Sequence, residues 1–360
     1  MERYILTIDQ LEELYSIIKD EYKLISPTLK DGVIQYSQNI DFKDLPFGYT
    51  QMESAGFYTV KTTDDCYFSY IRPYNSLKQF LRPPKVNFMT VRRIDNNLTF
   101  EYHLKYEKYA FFDVRRCDLK ALYILDKVFI ENKYPDIQYK TVRENMFIVG
   151  VNCLKASDVC FCESMDINFE EGYGADIFIT EIDKNFLVEV LTEKGKNFLN
   201  KINVKKATEY DLNKKEEVIE KFKTTIKKKL NTENLKDILY SKIDSPYWEE
   251  LGKRCLSCTS CTQVCPTCFC FDIREENSLD MKVSERYFVW DSCFNQTFAT
   301  VHKFNLREKI SHRYRQWLMH KMAYWQDQFG TFGCIGCGRC ITWCPVKIDI
   351  QIETQKLRDL

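Results

Sequence analysis

The sequence predicts an α+β protein. A mixed α/β domain is expected over residues 1–200, a charged helical linker over 201–244 and an α-helical domain over 245–360. Three observations carry that division. Up to about residue 200 the apolar residues recur with helical and strand periods in turn, and a lysine- and glutamate-rich stretch follows. Eleven of the sixteen cysteines then fall between Cys255 and Cys344, which sets the last third of the chain apart. The length of 360 residues, with 44% hydrophobic residues, is enough to bury more than one core.

The elements follow in order. Thr7 to Gln10 fits a capping box ahead of Leu11, Leu14, Tyr15 and Ile18, which share one helical face. From about 30 to 115 the chain reads as short strands and turns rich in Tyr, Phe, Ile and Val. Residues 117–131 return to helical spacing through Leu119, Leu122, Leu125, Val128 and Phe129. The apolar run 146–151 is expected as a buried strand, and 175–190 as a hairpin turning at Asp183 and Lys184. Over 201–240, Val218, Phe222, Ile226 and Leu230 recur every four residues, as on an amphipathic helix. Lys227, Lys228 and Lys229 belong to its solvated face rather than to a docking site for an acidic partner. Asn305 and Glu308 are expected to cap a helix carrying Ile310, Tyr314, Leu318, Met322 and Trp325, ended by Gly330.

Charge and targeting exclude several functions. Lysine plus arginine (52) equals aspartate plus glutamate (52), so no global charge argues for nucleic acid or an acidic membrane surface. The first twenty residues lack the basic, apolar and cleavable regions of a signal peptide. No window approaches ~18 uninterrupted apolar residues, so no membrane span is expected, and the location read from this is cytoplasmic. Thiols are kept reduced there, which leaves metal ligation, catalysis or plain burial for the cysteines. Their clustering favours metal.

Cys255, Cys258, Cys261 and Cys265 with Pro266 form one run, and Cys334, Cys337, Cys340 and Cys344 with Pro345 form another. Both are C-x2-C-x2-C-x3-C-P, the spacing of bacterial [4Fe–4S] ligation. Three thiolates two residues apart wrap a short loop over three irons. The fourth, in the extended geometry favoured before proline, turns to the other cluster. The expected ligand sets are therefore Cys255, Cys258, Cys261 and Cys344 for one [4Fe–4S] cluster, and Cys334, Cys337, Cys340 and Cys265 for a second. Small residues such as Ser257, Gly336 and Gly338 let the backbone close on each cluster. The 68 residues between the runs, read as helical, point to a helical ferredoxin-like domain rather than a compact sheet-based one. His302, His312 and His320 in that stretch read as packing or surface residues.

Five cysteines lie outside the last third. Cys117, Cys153, Cys160 and Cys162 bring four thiols from three short segments, with Arg115 and Arg116 available to offset an anionic centre. Their spacing admits zinc, iron–sulfur or burial. The fifth, Cys66, has no assignment. Within the last third, Cys268, Cys270 and Cys293 are expected to be buried beside the clusters. No dinucleotide-binding glycine pattern, Walker loop, serine elbow or H-E-x-x-H occurs. With four histidines and no acid–base constellation, no catalytic residue is expected, and the chain reads as an electron relay.

The order of motifs resembles one family. CLSCTSCTQVCPTCFCFDI, VWDSC, RYRQWLMHK and GCIGCGRCITWCP are preceded by RRCDLKAL, VRENMFIVGVNC, CFCESM and GADIFITEI. Together they look like the β subunit of cytosolic NAD(P)-linked [NiFe] hydrogenases (sulfhydrogenases) and its relative, the iron–sulfur subunit of anaerobic sulfite reductase. The likeness runs from about residue 75 to 350. It implies an iron–sulfur protein that passes electrons between a flavin- and NAD(P)H-binding subunit on one side and a catalytic partner on the other. That partner is a nickel–iron hydrogenase or a sirohaem sulfite reductase subunit, and CPTCFCFD and WDSC look more like the hydrogenase branch. The resemblance also implies a third iron–sulfur cluster at Cys117, Cys153, Cys160 and Cys162. The alternative from a different class is a free-standing multi-cluster carrier or a cluster-based regulator. Zero net charge and 360 residues speak against a simple diffusing ferredoxin.

Overall fold

Thr7 opens the first helix, Ile8–Glu21, as its spacing predicts: its hydroxyl accepts from the Gln10 amide while the Gln10 side chain accepts from the Thr7 amide. The face carrying Leu11, Leu14, Tyr15 and Ile18 is buried. The computed structural model describes residues 1–63, 66–95, 97–104, 107–169 and 172–360. The helix lies on an eight-stranded sheet in the order Lys205–Lys206, Glu2–Leu6, Asn185–Val190, Ile177–Ile182, Phe147–Val151, Tyr109–Arg115, Lys23–Lys30 and Val33–Gln38. Its middle strands, from Ile177–Ile182 to Lys23–Lys30, are parallel. The outer pairings are antiparallel, including the hairpin that turns at Asp183 and Lys184, both at positive φ.

Successive residues of the central strands enter opposite layers. Phe112, Phe147, Val149 and Ile179 pack with the first helix. Phe111, Ile148 and Phe178 pack with Leu119, Leu122 and Leu125 of the helix Arg116–Phe129. Covering both faces is what makes 147–151 apolar throughout rather than alternating. Each large apolar side chain so buried contributes about 1.5–3 kcal/mol. The strands Tyr109–Arg115 and Phe147–Val151 end side by side, Arg115 opposite Val151, after a register shift that leaves Asp113 at φ 61.

Of the helices Tyr247–Arg254, Ile310–Met319, Trp325–Phe329 and Ile350–Asp359 in the last third, all but Trp325–Phe329 pack around Trp248, Leu251, Phe294, Tyr314, Leu318, Met322 and Leu357, while Trp325 joins Ile219, Phe222 and Ile335. A π-helical turn, His320–Tyr324, joins the second and third of these, and Gly330 at φ 66 ends the run as expected. His320 packs between Phe269 and Trp325.

The fold departs from the sequence reading in several places. The helix expected over 201–240 is Glu209–Thr225. Past it Ile226 and Leu230 stay buried on non-helical chain, so the spacing of four continued by coincidence of burial. Lys227 and Lys229 are solvated as expected, Lys228 less so, but all three stand on non-helical chain and pair with Asp158 at 2.7 Å, Asp349 at 2.6 Å and Glu163 at 4.0 Å in chain order. Asn305 does not cap a helix either, since it lies in the short strand Phe304–Asn305 and the helix begins at Ile310 without a side-chain cap. The stretch between the cysteine runs is not wholly helical. Phe271–Asn277 and Val283–Trp290 form a hairpin that joins Lys85–Ile94 and Asn97–Tyr102 in a four-stranded sheet. That corrects the all-helical expectation for 245–360. The aromatic and β-branched residues of 283–290 find their strand partner almost 200 residues earlier in the chain, where no local pattern reaches. Among the described residues no helix is long and apolar enough to cross a membrane.

Candidate iron–sulfur sites

The two cysteine runs fold into the same loop. Ser257 and Gly336, two residues past the first cysteine of each, have φ 55 and 63, and Thr259 and Gly338 have φ 68 and 77. The short helices Ser260–Gln263 and Arg339–Thr342 follow at the same offset. In both runs the amide two residues on donates to the first sulfur, Ser257 N to Cys255 Sγ at 3.3 Å and Gly336 N to Cys334 Sγ at 3.4 Å. Amides aimed at sulfur in this way stabilise negative charge there. Glycine occupies the positive-φ positions of only the second run, for a reason outside the loop. A Cβ on Gly336 would lie 2.6 Å from Phe161 O, and one on Gly338 2.5 Å from Val159 O. The segment 159–162 is seated directly on this run, with Phe161 N donating to Gly336 O at 2.9 Å.

Cys344 leaves its own run and joins the other. A cavity is lined by Cys255, Cys258, Cys261, Cys344 and Cys340, closed by Phe294, Tyr314, Trp317 and Ile348. Cys334, Cys265 and Cys337 lie near enough to Cys340 to raise its thiol further, after burial. Cys344 thus lies by the first run and Cys265 by the second. Lys321, 4% exposed, donates to Cys265 Sγ at 3.2 Å.

The third group sits where the parallel strands end. Cys117 lies in the first turn of Arg116–Phe129 and Cys153 just past Val151, while Cys160 and Cys162 arrive on the segment seated on the second run. All four line one cavity with Arg72, Arg116 and Cys337. The carboxyl ends of parallel strands are the usual place for a crevice of this kind. Ile219 and Phe222 of the helix Glu209–Thr225 cover it, so the stretch expected to link domains also forms a wall of the cavity. Of the two arginines expected to offset charge, Arg116 lines the cavity, whereas Arg115 is held by Asp113 at 3.1 Å and by the carbonyls of Asn152 and Tyr70.

Burial holds the Cys160 and Cys334 thiols up at about 12 and pushes Cys162, Cys261 and Cys340 well above the ordinary thiol range. Thiols so placed are poor nucleophiles, and they ionise when a metal takes the place of the proton. Cys268 hydrogen-bonds Cys265 and lowers it; Cys293 does the same to Cys270, bringing it down to about 7. Cys293 is buried and Cys268 and Cys270 half-buried, all three beside the C-terminal sites. Sequence reasoning missed Arg72, whose Nη1 lies 3.9 Å from Cys160 Sγ and 2.8 Å from Glu53. It also missed Lys321, although a lysine three residues past Leu318 on an otherwise apolar face was a signal.

A family model described as a 4Fe-4S dicluster domain matches residues 254–348. Sulfhydrogenase 2 subunit beta of Pyrococcus furiosus is 35% identical over 306 residues, covering 81% of this chain and 86% of that one. The chain belongs to the sulfhydrogenase β-subunit family of iron–sulfur proteins. Membership accounts for the cysteine runs and for the matched order of motifs outside them, because the alignment is more than three times as long as the dicluster domain. No solved structure matches the chain at a significant level.

Proposed function

We propose that this chain relays electrons through three iron–sulfur centres, from or to a flavin- and NAD(P)H-binding subunit at one end, with the nickel–iron subunits of a cytoplasmic hydrogenase at the other. Cys255, Cys258, Cys261 and Cys344 hold one [4Fe–4S] cluster, Cys334, Cys337, Cys340 and Cys265 a second, and Cys117, Cys153, Cys160 and Cys162 a third centre. The observation that carries the reading is continuity. Cys340 of the second set lines the first cavity, and Cys337 of the second set lines the third.

Buried donors without partners support the fit. Trp317 Nε1 and Tyr314 OH belong to residues lining the first cavity, and Arg72 Nε and Nη2 to a residue lining the third. Left unmet, each such donor costs about 1–3 kcal/mol, and the sulfurs of an anionic cluster would accept from them. Bound there, the clusters supply one-electron transfer. The chain's own residues ligate through thiolates, offset charge with Arg72 and Arg116, and exclude water with Phe169, Ile219 and Phe222.

Anaerobic purification of the native protein tests the reading, with partners identified by mass and by iron, nickel, flavin and sirohaem content. Nickel and flavin are expected. Sirohaem with flavin would move the chain to the sulfite-reductase branch, and iron alone on a solitary monomer would leave only a free carrier. In parallel, Cys160→Ala should lower iron per chain and leave the electron paramagnetic resonance of both C-terminal centres unchanged. Unchanged iron would remove the third centre.

A further inference from the structure

Lys321 is a buried lysine whose nitrogen bonds directly to a cysteine of the C-terminal sites. Its Nζ donates to Cys265 Sγ at 3.2 Å, Thr267 Oγ1 at 3.1 Å and Gly333 O at 3.4 Å. Three acceptors for one nitrogen match the three donors of an ammonium and leave no place for the lone pair of a neutral amine. The charge therefore sits in the interior, and the sulfur is the one acceptor of the three that can carry a negative charge. The backbone is shaped to deliver it there. Lys321 is the second residue of the π-helical turn His320–Tyr324, where one extra residue per turn rotates the helix face. Gly333 N donates to Lys321 O at 2.8 Å, tying that turn to the start of the second cysteine run. A second buried lysine, Lys78, also acts on Cys265, but its nitrogen is spent on the carbonyls of Thr262 and Gln263.

The first site is built differently. Its cavity is lined by the neutral donors Trp317 and Tyr314, and Cys258 is exposed. The cation acting on its first cysteine is Arg313, whose Nη1 and Nη2 are taken by the carbonyls of Phe294 and Glu308. Hydrogen bonds to sulfur and local charge are two of the levers that set the potential of a cluster, and a full charge bonded directly to a ligand sulfur outweighs neutral donors.

We propose that Lys321 is the determinant that makes the centre holding Cys265 the electron-holding member of the C-terminal pair. This rests on Cys265 being an iron ligand, as proposed above. The lysine acts through the ligand sulfur: by stabilising the added negative charge it raises the reduction potential of that centre above its neighbour's. An electron shared by that pair then rests beside Lys321.

The test uses the intact protein or its complex. In wild-type protein labelled with 15N at lysine only and poised where the first of the two C-terminal centres is reduced, pulsed electron paramagnetic resonance of that centre should show a lysine-nitrogen coupling. Redox titration of Lys321→Gln should show a lower midpoint for one centre only, with the first electron moving to the other, and Lys321→Arg should restore the wild-type order. Absence of the nitrogen coupling from the first C-terminal centre to be reduced overturns the proposal, and this arm needs no variant to fold. Equal potentials in wild type and Lys321→Gln also overturn it. The ligand reading fails separately: Cys265→Ser leaving both C-terminal spectra unchanged would remove Cys265 as a ligand whatever the lysine does.

Discussion

At the scale of single residues, glycine shows how one backbone conformation serves two surroundings. Ser257 and Gly336 hold nearly the same φ in equivalent loops, yet a side chain at Gly336 would meet the backbone of Phe161. Gly330 at φ 66 has nothing within 4 Å of where its Cβ would be. Gly330→Ala should therefore cost only left-handed strain, about 1 kcal/mol. Gly336→Ala adds a collision with Phe161 O and should cost about 2–4 kcal/mol while unseating Cys160 and Cys162. Denaturation midpoints and iron content check the pair, and equal costs would mean that segment 159–162 does not rest on this loop. The cysteine runs were readable because their spacing is local. Arg72 was not, because only the fold carries it to Cys160.

At the scale of elements, the π-helical turn places two titratable neighbours in opposite settings. Lys321 finds a sulfur, while His320 is packed between Phe269 and Trp325. Burial, with the charges of Lys321 and Arg307, lowers His320 from 6.5 to about 4. The unfolded chain then binds a proton below pH 6.5 that the folded chain refuses until about pH 4. His320 thus supports the fold fully above pH 6.5, and that contribution is lost as pH falls toward 4. Between about pH 7 and 5 the loss should reach up to about 2 kcal/mol. Chemical denaturation at the two pH values should show a shallower fall for His320→Phe, and parallel falls would place the histidine in water. The helix Glu209–Thr225 teaches a related lesson. Its apolar stripe was legible as amphipathic, but not that Phe222 would cover a thiol-lined cavity.

At the scale of the whole molecule, one buried ion pair ties the N-terminal sheet to the second cysteine run. Arg339 donates to both oxygens of Asp118 at 2.8 Å and to Pro73 O at 3.0 Å, with arginine and aspartate each 1% exposed. Asp118 follows Cys117 and Arg339 precedes Cys340, so the pair fixes the third cavity against the second site. Arg339→Met alone leaves a buried carboxylate and should cost about 3–5 kcal/mol. Adding Asp118→Leu should recover much of that loss, read as a denaturation midpoint. A double variant no better than the single would mean that Arg339 acts by packing alone.

The sequence by itself determined the ligand-like spacing of the two runs, the capped first helix, the fully buried central strand, the hairpin at Asp183 and the family. Each of these is written within a few residues of contiguous chain, or in the order of such stretches. Tertiary structure alone decided that 283–290 pairs with 85–94, and that Glu209–Thr225 walls a cavity. It also decided that Gly336 is needed for Phe161, and that Lys321 meets Cys265. These depend on contacts between segments tens to hundreds of residues apart, where burial and close approach of backbones, rather than local periodicity, set which side chain meets which.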